Sequence, residues 1–530
     1  MSTTFTPSRT PAIVSKPTRR LRITSGPILV LIIAVCVLSI HLATAGRYGH
    51  FGDELYFMAC AEHLDWGYVD QPPLIAVIAW LTRHLLGTSV FAVNVIPALA
   101  SSATVWLTGH IARELGGGRF AQGLAALCAA CAGTYLAMGH LFTMNVFEPL
   151  FWMGCILFVI RMISGGNMRS WTWVGLLAGV GLENKYSIAF FAASSVAGLL
   201  LTPQRRILAN HWFWVGVLLA FAIFVPNLLW NVNHNWPFFE LMHNIRAHQR
   251  DIILSPSGYL WTQIMEMNPL TALIWLPGTF YLLFSRRFSE FRCLGWAFVF
   301  LQALMIVLHG KDYYAAPVYP IVFAAGAIAL DDRTRQRGWR WIRSVVPILI
   351  SVSAAAMLPA AIPILPIGEF TRYWHAFDQL AMIEPDEKVL ITEPLPHNYS
   401  WSVGWEEMTA AAARSYNSLS PEERTRTAVW ADDFGAAGAI DYFGAKYGLP
   451  KAISGNQNYW LWGPRSYSGQ TMILVATPIS TAHRYFQEVT IVERLNNPYA
   501  PPWENRPILL CRRPRFVSLT AIWPEVKNWE

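Results

Sequence analysis

Asp53 and Glu54 stand side by side in Gly-Asp-Glu-Leu-Tyr-Phe, just beyond the first long apolar run of the chain. Adjacent carboxylates at a bilayer edge are costly unless water, a metal or a cationic partner compensates them. In such a place an ionised carboxylate can act as a general base, taking the proton from an attacking hydroxyl. Complementary groups recur along the chain. Asn145 and Glu148, in Phe-Thr-Met-Asn-Val-Phe-Glu-Pro, share one helix face at i,i+3 spacing. Glu183 and Lys185 punctuate a turn between two apolar runs, and His309-Gly310-Lys311-Asp312-Tyr313-Tyr314 joins two more. A loop at 231–258 carries His234, His243, Arg246, His248 and Arg250. Lysine, arginine and tyrosine can hold a phosphate leaving group and stabilise its developing charge. Base and phosphate-binding groups together suit group transfer from a lipid-phosphate donor, with an apolar groove for a polyprenyl tail.

Each feature has a plainer alternative. The acidic pair could be solvated loop residues, the usual fate of charge. Glu148 before Pro149 could serve the helix dipole, and Lys185 could reach the interface from a helix end. Lys311 and Asp312 could be a local ion pair, and Tyr313 and Tyr314 interfacial aromatics. The irregularly spaced histidines of 231–258 fit a wet loop better than a metal site. No cofactor motif is present. The acid-rich site is chemically able to recruit a divalent metal, but its spacing specifies none. Convergence of these segments on one face is what favours chemistry over the plainer readings.

A membrane must position these residues. Of 530 residues 54% are hydrophobic and only 14% charged, and the mean hydropathy is +0.33. Soluble domains carry about a quarter charged residues, so this deficit is decisive. The net charge of +7 comes from arginines in short breaks between apolar runs, which fits a membrane surface and not nucleic acid. The seven cysteines show no CxxC spacing and read as small buried hydrophobes. Bilayer-length apolar runs occur near 27–45, 89–112, 119–139, 146–163, 171–183, 185–202, 211–230, 259–284, 293–309, 314–330 and 342–363. These predict about eleven transmembrane helices, the first a retained anchor rather than a cleaved leader.

Arg19, Arg20 and Arg22 precede the first run and place the N-terminus in the cytoplasm. Arg113, Arg119, Arg161, Arg169, Arg205, Arg206, Arg286, Arg287, Arg292 and the cluster from Arg333 to Arg343 then all fall on the inner face. Asp53, Glu54, Glu148, Lys185 and Lys311 fall on the outer face. The tail at 1–24 reads as disordered, 25–365 as the transmembrane region, and 366–530 as an extracytoplasmic α/β domain. Within the outer loop 46–88, helices are expected at 54–64 and after Pro72–Pro73, lying along the bilayer as amphipathic segments. In the last domain, strands are expected at 387–392, 426–432, 472–476, 490–494 and 508–511, with helices at 404–419 and 435–447.

The order of motifs resembles a family. Gly-Asp-Glu is followed by Tyr68-Val69-Asp70-Gln71-Pro72-Pro73-Leu74, then Glu183-Asn184-Lys185-Tyr186-Ser187, then His309-Gly310-Lys311-Asp312-Tyr313-Tyr314-Ala315-Ala316-Pro317. This is similar to the GT-C membrane glycosyltransferases related to dolichyl-phosphate-mannose protein mannosyltransferases and lipid A aminoarabinose transferases. The tail segments Gly404-Trp405-Glu406-Glu407-Met408, 435–440 and 454–463 resemble those of bacterial members. The resemblance implies an inverting sugar transfer from a polyprenyl-phosphate donor to a lipid, glycan or protein acceptor at the outer face of the inner membrane. It assigns Asp53 the general-base role, with Glu54 in support. Lys185, Arg246, Lys311 and Tyr314 become donor-phosphate ligands; Asp70, Gln71, Asn145, Glu148, His309, Asp312 and Tyr313 become substrate-binding residues. Two departures stand out: relatives have lysine where this chain has Gln71, and aspartate near Asn145. The rival classes are a transporter or flippase of lipid-linked sugars and a non-catalytic envelope protein. Transporters place ionisable groups at the membrane midplane in repeated halves, and no repeat occurs here.

Overall fold

The computed structural model describes residues 26–336, 338–382, 385 and 387–530; the tail assigned to 1–24 lies outside them. Every apolar run is helical. The first half comprises α1 (Gly26–Thr44), α2 (Gly52–Glu62), α3 (Leu74–Leu85), α4 (Val90–Glu114), α5 (Arg119–Ala130), α6 (Gly133–Met138), α7 (Glu148–Ile163), α8 (Trp171–Asn184) and α9 (Ile188–Leu200). Then come α10 (His211–Asn233), α11 (Pro237–Ala247), α12 (Pro256–Glu266), α13 (Ala272–Phe284), α14 (Arg292–Leu308), α15 (Tyr319–Gln336), α16 (Ile342–Ala361) and α17 (Ile367–Ala381). Among the described residues six helical segments are long and apolar enough to cross a membrane, or seven with the bent α12–α13 pair as one span.

Five expected spans are not among the six: the runs at 119–139 and 259–284 are broken, and α8, α9 and α14 are short, at 14, 13 and 17 residues. The run at 259–284 bends by 101° between α12 and α13. Asn268 sits at the break with φ of 68° and ahead of Pro269, where no helix can continue. Its Oδ1 accepts from the Leu270 amide at 3.1 Å and the Ser353 hydroxyl at 2.9 Å, while its amide donates to the Cys131 carbonyl at 3.2 Å. The run at 119–139 is likewise split at Cys131–Ala132, and that at 314–330 opens as a 3-10 helix, Asp312–Val318. Helices close where side chains are absent: a Cβ on Gly175 of α8 would stand 2.2 Å from the Gly216 carbonyl oxygen of α10. Such small-residue contacts let helices approach without a hydrophobic drive from water.

Residues 427–514 form a four-stranded sheet of order β1-β2-β4-β3, with β1 (Thr427–Ala431) parallel to β2 (Thr471–Val475). The antiparallel partners are β4 (Ile508–Pro514) against β2 and β3 (Phe486–Glu493). Connecting helices are α18 (His397–Ser400), α19 (Trp405–Asn417), α20 (Pro421–Arg424), α21 (Phe434–Phe443) and α22 (Gln457–Trp462). The expected strand at 387–392 is instead a 3-10 helix, Lys388–Thr392, held by a single bridge from Glu387 to Asp251.

The amphipathic, surface-lying α2 of the sequence reading is also corrected. Leu55 to Ala61 are buried without interruption, because α21 packs on the side of α2 that would otherwise face water. One apolar cluster therefore runs from Phe51, Tyr56 and Phe57 into Ala436, Ile440, Ile473 and Val475. The helix pair closes at Gly438, where a Cβ would meet the Leu55 carbonyl carbon at 2.7 Å. In contrast α3 keeps two faces, with Ile75, Ala76 and Ala79 buried and Trp80, Leu81 and Leu85 exposed.

Candidate active site

The first turn of α2 holds both acids, where helix N–H groups favour negative charge, but their side chains diverge. Glu54 turns inward: one oxygen accepts from the Phe142 amide at 2.9 Å, the other from the Phe51 amide at 3.3 Å and contacts His50 Nδ1 at 3.3 Å. It is 1% exposed. Glu54 thus ties α2 to the turn after α6. Asp53 is half-buried, and among the described residues no hydrogen bond reaches its carboxylate. Burial pushes Asp53 up to about 7; His397 and Lys311 pull it down, while Asp70 and Glu54 push it further up.

Asp70 lies in the loop before α3 and is pushed up to about 6 by burial, against a 3.0 Å hydrogen bond donated by the Tyr56 hydroxyl. Tyr56 sits one helical turn after Asp53. Asn458 completes this arrangement, its Oδ1 accepting from the Val69 amide at 2.7 Å and the Tyr56 hydroxyl at 3.3 Å. The 454–463 segment therefore holds the Asp70 loop from the far end of the chain. Gln71 is wholly buried, its amide against Cys60 Sγ at 3.8 Å and its Oε1 without a partner among the described residues.

A second cluster gathers residues separated by 170 positions. Lys185 ends α8 and donates to Asn145 Oδ1 at 2.6 Å and Glu148 Oε2 at 3.3 Å. The other Glu148 oxygen accepts from the Ser187 hydroxyl. The Lys185 ammonium lies 4.2 Å from the Tyr314 ring centroid and 5.4 Å from that of Tyr313. Aromatic faces attract a cation, so the tyrosines hold the ammonium in place. The Asn184 side chain fixes the turn by donating to the Met144 carbonyl at 2.9 Å. Glu183, one position earlier, is 9% exposed with both carboxylate oxygens unpartnered.

The 309–314 loop is the bridge. Lys311 pairs with Glu387 and lies 4.0 Å from Asp251, while Arg250 accepts a backbone bond from Lys388. His309 caps α14 in the left-handed region (φ 53°) and lines a small cavity with Asp251, Tyr259 and Lys311. The Asp312 carboxylate accepts from the Tyr313 amide and its carbonyl from Gln263, so it shapes the loop. Arg246 is exposed on α11, and among the described residues no hydrogen bond or ion pair engages its guanidinium. Among the described residues, no three His, Cys, Asp or Glu side chains are placed to share a metal ion.

The structure adds residues the motifs did not single out. Ser187, Tyr56 and Asn458 bond to the groups above, while Glu393 pairs with His397, whose ring packs on Phe51 two residues before Asp53. Tyr56 was within reach of the sequence as the i+3 neighbour of Asp53; His397 and Glu393, some 340 positions away, gave no signal.

Residues 70–230 match the family described as dolichyl-phosphate-mannose-protein mannosyltransferase. Lipid A galacturonosyltransferase RgtD of Rhizobium johnstonii is 24% identical over 186 residues, 35% of this chain and 39% of that protein. The chain thus spans about two fifths of the length of that relative. The fold is shared with ArnT from Cupriavidus metallidurans bound to undecaprenyl phosphate, at a TM-score of 0.60 and 14% identity. The apo form of that protein gives 0.57 at the same identity. Each alignment covers 91% of this chain and 97% of the other.

Proposed function

We propose that this chain is a GT-C glycosyltransferase that moves a sugar from a polyprenyl-phosphate donor to a lipid, glycan or protein acceptor. The observation that carries this is Asp53: a half-buried carboxylate with no hydrogen bond among the described residues, under the electrostatic influence of His397, Asp70 and Lys311. A general base needs an unengaged lone pair and a proton affinity near the working pH, and Asp53 offers both. Asp53 takes the acceptor hydroxyl proton as that oxygen attacks the sugar C1 and the C1–O bond to phosphate breaks. The configuration inverts, and polyprenyl phosphate leaves with one more negative charge. Lys185 and Lys311 stabilise that charge, with Tyr314 against Lys185 and Arg246 reaching from α11.

In this account Asn145 and Glu148 set the position of Lys185, and Asp70, His309 and Tyr313 border the sugar or acceptor. The reaction face is extracytoplasmic, with the N-terminus cytoplasmic, about eleven membrane passes, and residues 366–530 as an outer α/β domain in the inner membrane. The lipid A substrate named for the galacturonosyltransferase makes a lipid the first acceptor to try.

Purified full-length chain is incubated with lipid A and a panel of undecaprenyl-phosphate sugars: a uronic acid, an amino sugar and neutral hexoses. Acceptor-dependent release of undecaprenyl phosphate from one donor is expected. Movement of intact donor across vesicles without any release would instead favour a transporter.

A further inference from the structure

The turn from His397 to Trp401 docks on the N-terminus of α2. The Trp401 carbonyl accepts from the Gly52 amide at 3.1 Å, and a Cβ on Gly52 would stand 2.7 Å from the Trp401 ring. The His397 ring is fixed between aromatic neighbours, edge-on to Phe51 at 5.5 Å and stacked on Trp401 at 4.9 Å. Its Nδ1 lies 2.8 Å from a Glu393 carboxylate oxygen, and the Glu393 side chain is only 1% exposed. A carboxylate acceptor there places a proton on Nδ1 and makes Nε2 the nitrogen that gains or loses charge. Phe51 is two residues before Asp53, and the imidazole is the foremost charged group opposing the effect of burial on Asp53.

We propose that Glu393 and His397 form a positioning dyad for Asp53: Glu393 orients the imidazole beside Phe51, and the imidazole so held favours the ionised form of Asp53. The dyad rests on Asp53 as the base. Its logic is electrostatic: a buried carboxylate with no hydrogen bond loses its charge unless a cation stands nearby. Lys311 shares this task but is paired with Glu387, while Asp70 and Glu54 oppose it. The chain beyond the membrane region thereby supplies part of the reaction centre and couples docking of the 397–401 turn to the charge of the base.

The test is a pH titration of Asp53 by infrared difference spectroscopy on the full-length protein in lipid nanodiscs, needing no donor. The band absent from Asp53→Asn reports the Asp53 carboxyl, with a midpoint near 7 in the natural chain. His397→Gln should raise that midpoint by about one pH unit. Glu393→Gln should raise it less, and His397→Lys should return it toward the natural value by restoring the charge. An unmoved midpoint in His397→Gln, in protein whose melting matches the natural chain, overturns the dyad. Donor consumption by Asp53→Asn is measured alongside. Retained transfer there overturns the base role and the function of the dyad with it, whereas an unmoved midpoint overturns the dyad alone.

Discussion

At the scale of single residues, the site separates two acids that are adjacent in sequence. Glu54 has both oxygens engaged and supports structure, while Asp53 has neither engaged among the described residues and keeps a raised proton affinity. The sign of its pH dependence follows. The base is the ionised form, Asp53 is pushed up to about 7, and transfer should therefore fall about tenfold per pH unit below that value and level off above it. A steady-state rate profile between pH 5 and pH 9 checks this, and a flat acidic limb would contradict it. Lys185 supports a second prediction. Its ammonium is 15% exposed and compensates Glu148, 4% exposed. Lys185→Met should raise the donor KM at least about tenfold and cost about 3 kcal/mol of stability, because a buried carboxylate loses its counter-charge. Adding Glu148→Gln should recover the stability and not the KM, read from thermal unfolding and donor titration of both variants.

At the scale of elements, α2 is the piece on which the account turns. Its helical nature was legible as an expected helix at 54–64, because an apolar stretch of that length is a local pattern, while its start two residues earlier at Gly52 was not. Its burial was not legible, since that comes from α21, whose Gly438 lies almost 400 positions away and admits the Leu55 backbone. Gly438→Ala should cost about 1 to 3 kcal/mol by overpacking that contact and lower transfer by displacing Asp53. Thermal unfolding and donor consumption measure the two effects, and unchanged values for both would refute close packing of the pair. The broken α12–α13 pair shows the same limit. Hydropathy registered one apolar run at 259–284, while the bend depends on Asn268 and its tertiary partners Cys131 and Ser353. The helices and strands around the sheet were mostly legible because their periodicity is local; the 388–392 turn was missed because apolar residues there mimic a strand.

At the scale of the whole molecule, residues from both ends of the chain pack on α2 in one apolar cluster. The three tail segments that resembled bacterial relatives gain a physical role: 404–408 begins α19 behind the 397–401 turn, 435–440 packs on α2, and Asn458 holds the Asp70 loop. The charge pattern of the loops predicts that this assembly faces away from the cytoplasm. Single cysteines at positions 53 and 312 should react from the same, outer side of sealed vesicles, and labelling from opposite sides would break the topology. The central claim, that Asp53 is the base for sugar transfer, is tested most directly by donor consumption in Asp53→Asn. The account predicts a variant that inserts and unfolds like the natural chain but has lost transfer at every pH. Near-natural transfer in that variant would contradict it.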